Sequence, residues 1–318
     1  MASPTLGGAT SPAAALRVLL NDAKDQRRCL LMPACHDAIS AALIARAGFR
    51  VGFMSGFAVS AASLALPDAG IISYAEMLAA GRAICEAGRG MCVVGDGDTG
   101  FGGPANIRRA VEGYARAGFA GMSIEDQVYP KRCSLARGVS VISRDEAIAR
   151  VRAAVTARDE MKAASGLDLV VIGRTDCRHA PHGGLDEAVA RCHAFAELGA
   201  DLVYAEGLGG EDEFAALHAV LPAATPTMLA QVERPSVQLL SSEDAARHGF
   251  TLCLHGLTVF SASVLAMKRT LTSLAAGAGA PADSLLPLDE LHAEVGFPQL
   301  YAWEARLDDR ERDRTTEP

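Results

Sequence analysis

The eight cysteines contain no Cys-x-x-Cys pair and no metal-finger spacing, so a thiolate-based structural metal site is not indicated. Most stand in apolar runs, as Cys92 does beside Val93 and Val94, and read as reduced, buried thiols of a cytosolic protein. Positive charge is in deficit too. Thirty Lys and Arg face 38 Asp and Glu, a net charge of −8, which argues against nucleic acid or an anionic membrane as a partner. An anionic small substrate stays compatible, because a metal ion or a few arginines can set the local field. No apolar run approaches the ~20 residues of a membrane span, and no charged leader with an apolar stretch opens the chain. The expectation is a soluble, cytoplasmic protein.

What is present is a phrase that recurs with drift: a helical stretch, a glycine, a short apolar run, then a polar residue. It appears as ARAGFRVGFMSG (45–56), ARAGFAGMSIED (115–126), AELGADLVYAEG (196–207) and ARHGFTLCLHG (246–256). The physics is a helix ended by glycine at the left-handed position and followed by a buried strand. CLLMP (29–33), MCVVGD (91–96), LVVIGR (169–174) and PTMLAQ (226–231) supply the remaining strands. Amphipathic stretches lie between them. One begins with Pro104 at its first position, and another has Ser143 as N-cap with Glu146 three residues on. Eight near-continuous apolar strands alternating with helices predict a parallel sheet covered by helices, closed as a single (β/α)8 barrel. The expected organisation is a disordered lead over 1–12, the barrel over 13–275, a helical extension over 276–310 and a solvated tail over 311–318.

In such a barrel the chemistry gathers at the C-terminal ends of the strands. Those positions hold Ser55-Gly56, Asp96 and Asp98, Glu125-Asp126, Arg174-Asp176, Glu206 and, just past the seventh strand, Glu233. The loop VVGDGDTGFGGP (93–104) also matches the dinucleotide pattern G-x-G-x-x-G. A pyrophosphate loop needs free backbone N–H groups and no negative charge, whereas two of the variable positions here are aspartates. Asp96 and Asp98, with Glu125 on the next strand, suit a hard cation such as Mg²⁺ instead. Turn-forming acids bonded to backbone would be the ordinary reading of such a pair; the other converging acids weigh against it. Met32, Met54 and Met91 read as core, and His36 as a packed or hydrogen-bonded residue after the first strand. His179 and His182 fit a solvent-exposed loop as well as a substrate contact.

The segments MPACHDAISAALIARAGF, MSGFAVSAASLALPDAG, GDGDTGFGG, IEDQVYPKRC and RTD together resemble the isocitrate lyase / phosphoenolpyruvate mutase superfamily. The similarity runs from about Leu31 to about Met267, and GDGDTG with RTDCRHAPHGG (174–184) points to the petal death protein branch. The resemblance implies a barrel whose last helix is exchanged between subunits of a homotetramer. It also implies Mg²⁺, with Mn²⁺ as a substitute, held directly by Asp96, with Asp68, Asp98 and Glu125 engaging its waters. Ser55, Gly56 and Phe57 would line the substrate site, Arg174 would bind a substrate carboxylate, and Glu206 and Glu233 would line the same pocket. Lys131-Arg132-Cys133 matches a mobile-loop motif whose thiol protonates the carbanion left by carbon–carbon cleavage. The neighbouring Lys131 and Arg132 would favour the thiolate and draw the Cys133 pKa downward.

The chain departs from the family pattern in several places. Ser134-Leu135 replaces Gly-His after the cysteine, and Ala230, beside Gln231, stands where an asparagine is expected. Phe53 replaces the tyrosine of methylisocitrate lyases, and Ser261 lies near the place of an arginine that reads a third carboxylate. Losing a directional partner for a buried carboxylate costs several kcal/mol of discrimination, which favours a dicarboxylate substrate. The expected activity is a Mg²⁺-dependent lyase of a 2-hydroxy or 2-oxo dicarboxylate of the 2-alkylmalate type, with Cys133, Lys131, Arg174 and Glu125 in the chemistry. Oxaloacetate hydrolysis or decarboxylation is the alternative, ahead of phosphonopyruvate chemistry or a non-catalytic metabolite-binding barrel.

Overall fold

The computed structural model describes residues 11–233 and 239–316; positions 1–10 of the expected lead and 317–318 of the expected tail lie outside them. The eight expected strands are present. They are β1 (Leu30–Cys35), β2 (Val51–Met54), β3 (Cys92–Asp96) and β4 (Gly121–Glu125), then β5 (Val170–Thr175), β6 (Leu202–Ala205), β7 (Met228–Gln231) and β8 (Leu252–His255). The first six helices are α1 (Pro12–Asp25), α2 (Ala38–Arg46), α3 (Gly56–Leu64), α4 (Tyr74–Ala87), α5 (Pro104–Ala117) and α6 (Arg144–Ser165). After them come α7 (Leu185–Glu197), α8 (Glu211–Val220), α9 (Ser242–Arg247), α10 (Thr258–Ala275), α11 (Leu288–Glu294) and α12 (Phe297–Thr316).

The strands pair in parallel in the order β6-β5-β4-β3-β2-β1-β8-β7, and a bridge from Val203 to Thr227 brings the two ends together into a nearly closed (β/α)8 barrel. The seam is thin for a local reason. Pro226 accepts from the Val203 N–H at 3.3 Å but has no N–H to return, and regular pairing begins two residues later at Met228. Pro33 sits inside β1, which nevertheless continues to Cys35 because Ala34 and Cys35 pair with Phe53 and Met54.

Alternation along the strands sorts their side chains into two layers. Met32, Phe53, Val94, Ile172, Tyr204 and Leu254 point into the barrel, while Met54, Val93, Met122, Val171 and Cys253 pack outward under the helices. Helix α1 contributes Leu16 and Leu20 to the inner layer, at the starts of the strands. Each is fully buried, a gain of roughly 1.5–3 kcal/mol per side chain. Arg17 on the same helix bonds Asp168 and Asp201 and so anchors α1 to the strand starts. Of the helix signals, Ser143 and Glu146 form the expected capping box of α6, and Gly118 ends α5 at φ +97°.

The chain divides into two compact units, one ending at Phe260 and the other beginning at Ser261. All eight strands fall in the first. The second holds most of α10, with α11 and α12, and α12 stays helical through Thr316, over residues read from the sequence as a tail. None of the residues of α10 is buried. Among the described residues, no helix is long and apolar enough to cross a membrane.

Candidate active site

The C-terminal strand ends converge on a cavity of about 70 Å³. Ser55, Phe57, Asp68, Asp96, Cys133 and Arg174 line it, with Tyr204 and Glu206. Ser55 follows β2 and caps α3, its hydroxyl accepting from the Ala58 N–H at 3.3 Å. The first amide of that helix, Gly56 N–H, points at the Asp96 carboxylate 3.4 Å away. A Cβ on Gly56 would stand 3.0 Å from Asp96 Oδ2 and 3.2 Å from Asp98 Oδ1, so the glycine is what lets the helix start approach both acids. Asp96 also accepts from the Ser123 hydroxyl at 3.1 Å, and its backbone carbonyl accepts from the Tyr114 hydroxyl at 2.8 Å. Asp98 adopts φ +47°, a strained conformation for a non-glycine residue of the kind that persists where the surroundings demand it.

Lys131 is buried between two of these acids, its ammonium paired with Asp68 and, at 2.9 Å, with Asp98. Burial opposes its charge, but Asp98, Glu125, Asp96 and Asp68 outweigh burial and hold its pKa well above the ordinary lysine value. Burial pushes Asp98 up to about 6 against the pull of Lys131, and drives Glu125 well above the usual carboxylate range. Neither Glu125 oxygen has a hydrogen-bond partner, although Arg174 Nη1 faces one of them at 3.3 Å. Buried, under-satisfied carboxylate oxygens beside Asp96 form a hard, all-oxygen donor set that fits Mg²⁺ or Mn²⁺. Among the described residues, no three acid, imidazole or thiolate side chains form a ready-made ligand cluster.

Arg174, at the end of β5, grips Asp176 with Nε at 2.9 Å and Nη2 at 2.8 Å. Its guanidinium also lies 5.6 Å from the Tyr204 ring centroid and 4.0 Å from Glu206. Arg174 thus has one edge of its fork committed to Asp176. Asp176 sits one residue past the strand end, close enough for the fork to turn back onto it. The adjacent acid, Asp126, turns the other way: it binds the Asp176 N–H at 2.9 Å and Arg191 at 2.9 Å, bracing β4 to β5 and α7. Tyr204 was missed in the sequence, where it reads as one more core aromatic. Its buried hydroxyl lacks a partner and borders the cavity.

The loop carrying Cys133 is pinned at several points. Gln127 exchanges hydrogen bonds with Arg132 at 2.8 Å in both directions, Cys133 N–H donates to the Asp68 carbonyl at 3.0 Å, and Gln127 bridges to Val141. Ser134 and Leu135, which replace Gly-His, both face the cavity, and the Ser134 hydroxyl bonds Glu206. One expectation is corrected. The Cys133 pKa is raised, not lowered, because burial of the thiol, reinforced by Asp68, outweighs the help of the Leu135 N–H, Lys131 and Arg174. Lys131 is spent on carboxylates. Burial also lifts Glu206, to about 7.

Glu233 does not reach the cavity: it is 43% exposed and holds the Thr258 hydroxyl at 2.6 Å and His255 at 3.3 Å. Gln231 is occupied as well, clamping both the N–H and the carbonyl of Leu240. His36 packs edge-on against Phe260, His179 bonds the Gly207 carbonyl at 2.9 Å, and His182 is exposed.

Residues 20–275 match the phosphoenolpyruvate phosphomutase family. The chain belongs to the phosphoenolpyruvate mutase / isocitrate lyase superfamily. Within this superfamily of enzymes it is 35% identical to petal death protein of Dianthus caryophyllus over 270 residues, 85% of this chain and 82% of that one. It is 34% identical to 2,3-dimethylmalate lyase of Eubacterium barkeri, over 82% of this chain and 86% of that one. Among solved superfamily structures, oxaloacetate acetylhydrolase with 3,3-difluorooxalacetate superposes with TM-score 0.85 at 31% identity, over 94% of this chain and 97% of the other. Phosphonopyruvate hydrolase with oxalate and Mg²⁺ superposes with TM-score 0.77 at 30% identity, over 93% and 99%.

Proposed function

We propose that the protein is a Mg²⁺-dependent carbon–carbon lyase that cleaves a 2-alkylmalate-type dicarboxylate into a 2-oxo acid and a short carboxylate. The observation that carries this reading is that Cys133, Ser55, Asp96, Arg174 and Glu206 line one cavity at the strand ends. Asp96 would hold the ion, with Asp68, Asp98 and Glu125 around its waters. When bound, Mg²⁺ supplies Lewis-acid chelation of the substrate carboxylate and C2 oxygen.

The remaining steps belong to the chain's own residues. Arg174 Nη1 and the Ser55-Gly56 turn orient the substrate at the start of α3. Glu206, with a pKa about 7, is poised near neutral pH to take the C2 hydroxyl proton. The C2–C3 bond then breaks, its electron pair passes to the departing carboxylate as an enolate, and the Cys133 thiol delivers a proton to carbon. A thiol kept neutral by burial is loaded for that donation. The exposed apolar side chains of the second unit, among them Leu271, Leu285, Leu288, Tyr301 and Trp303, support its packing on a second copy in a cytoplasmic homotetramer.

The likeness to oxaloacetate acetylhydrolase favours a second reading, in which oxaloacetate is hydrolysed at the same site. A Mg²⁺-dependent turnover screen over 2-alkylmalates, oxaloacetate, methylisocitrate and phosphonopyruvate tests both. Alkylmalate cleavage that collapses in Cys133→Ala is the expected result. Oxaloacetate turnover that survives the substitution would transfer the protein to the hydrolase reading.

A further inference from the structure

Tyr204 on β6 is in register with Arg174 on β5, so the two side chains leave the same face of neighbouring strands, into the barrel. The ring is fully buried, with the Arg174 guanidinium carbon 5.6 Å above its centroid. The residue lines the catalytic cavity, yet among the described residues its hydroxyl has no hydrogen-bond partner. Burying a hydroxyl without a partner destabilises the fold, and native proteins keep few such groups. Burial, reinforced by Glu206, Asp96 and Asp176 against the pull of Arg174, holds the phenol well above its ordinary pKa. It therefore keeps its proton and remains a donor.

The cavity wall is short of donors. Arg174 commits Nε and Nη2 to Asp176, Gln231 gives its amide N–H groups to the Leu240 carbonyl and the Cys253 sulfur, and the Ser134 hydroxyl bonds Glu206. Among the described residues, the hydroxyl and guanidinium donors left on the wall are Ser55, Arg174 Nη1 and Tyr204. Ser55 follows β2, four strands round the barrel from β6, whereas Tyr204 lies directly beside Arg174. A carboxylate presents about four lone-pair sites, more than Nη1 alone can fill.

Resting on the reading that Arg174 receives a substrate carboxylate, we propose that the Tyr204 hydroxyl is the second donor to that carboxylate. Arg174 and Tyr204 together then form the anion-recognising corner of the site. A neutral group placed there accepts more weakly than a carboxylate does, so the corner selects for the charged end of the substrate.

Tyr204→Phe removes one oxygen and keeps the ring, and oxalate serves as the probe because its binding needs no turnover. Calorimetry with Mg²⁺ is expected to show oxalate bound by wild type and bound about 10- to 100-fold more weakly by the variant, the effect of losing a hydrogen bond to a charged acceptor. Without ligand, denaturant titration should find the variant as stable as wild type or slightly more so, because no protein partner is left unpaired. On the alkylmalate, KM should rise by about tenfold or more while kcat stays within about twofold. Equal oxalate affinities in the two proteins refute the role of the hydroxyl and leave the reading of the site standing. A large loss of stability, or a loss confined to kcat, also overturns the proposal: the first would reveal a structural bond, the second a group that serves only the transition state. If wild type itself does not bind oxalate with Mg²⁺, the reading of the site falls, and the proposal with it.

Discussion

Arg174 near the end of β5 and Asp176 just past it share two near-parallel hydrogen bonds, Nε at 2.9 Å and Nη2 at 2.8 Å. The clamp fixes the guanidinium plane above Tyr204 and leaves Nη1 toward Glu125 and the cavity. A lysine cannot reproduce a planar fork. Arg174→Lys is therefore expected to lower kcat/KM by about 10²-fold, and Asp176→Asn, which keeps the size but weakens the charge-assisted bonds, by about tenfold. Steady-state kinetics with circular dichroism on both variants check this. Equal losses from Arg174→Lys and from a surface Arg→Lys control would dissociate the clamp from catalysis.

Burial holds the Cys133 thiol in its neutral form, as the proposed proton donor requires. At pH 7 it should therefore be alkylated by iodoacetamide more slowly than an ordinary exposed thiol, with the rate climbing as pH rises beyond the ordinary thiol range. Cys133→Ala should reduce alkylmalate cleavage by about 10²–10⁴-fold, the usual range for a positioned acid, while leaving binding of a 2-oxo acid largely intact. Rapid alkylation at pH 7 would favour a thiolate and unseat the donor role.

The strand pattern was legible because parallel barrel strands are apolar on both faces and end in polar residues, and the sequence repeats that phrase. Its limits were local. PTMLAQ reads as a full strand, yet before Met228 it makes only an isolated bridge at Thr227. The acids at strand ends were visible, but their roles depended on contacts between loops. Asp126 points away from Glu125 because neighbouring residues face opposite sides, and Glu233 lies past the strand, free to bond Thr258 instead. Lys131 beside Cys133 suggested a lowered thiol pKa, because adjacency in sequence cannot reveal that the ammonium is absorbed by Asp68 and Asp98. Tyr204 carried no polar signal at all among apolar neighbours.

Glu206 sets the expected pH profile. Its pKa of about 7, raised mainly by burial, means that the base is protonated and idle below pH 7 and ionised above it. With Glu206 as base, kcat/KM rises with pH, tenfold per unit below about 7, and then levels. Glu206→Gln should remove this limb along with most of the activity. The same shift has a cost in stability. The folded state binds this proton more tightly than the unfolded chain does, so its contribution is full below the ordinary glutamate range and is lost as pH climbs to about 7. Glu206→Gln should flatten that part of the Tm-against-pH curve. A profile that falls between pH 6 and 8 in wild type would remove Glu206 from the role of base.

Lys131 offers the sharpest separation of stability from chemistry. Its ammonium is buried against Asp68 Oδ1 and Asp98 Oδ1. Lys131→Met leaves those carboxylates without their cation, and breaking a buried pair in this way costs about 3–5 kcal/mol. Stability should fall by about that amount in denaturant titrations. A bound Mg²⁺ would face the same acids, so the variant should gain more stability from the ion than wild type does, by mass action on the folded state. Thermal unfolding of both proteins across a Mg²⁺ series, repeated with EDTA, measures the difference. If Mg²⁺ raises the Tm of wild type and variant equally, the ion does not share the carboxylates that hold Lys131. If Asp96→Asn removes the Mg²⁺-dependent rise in both proteins, Asp96 is the ligand through which the ion is held.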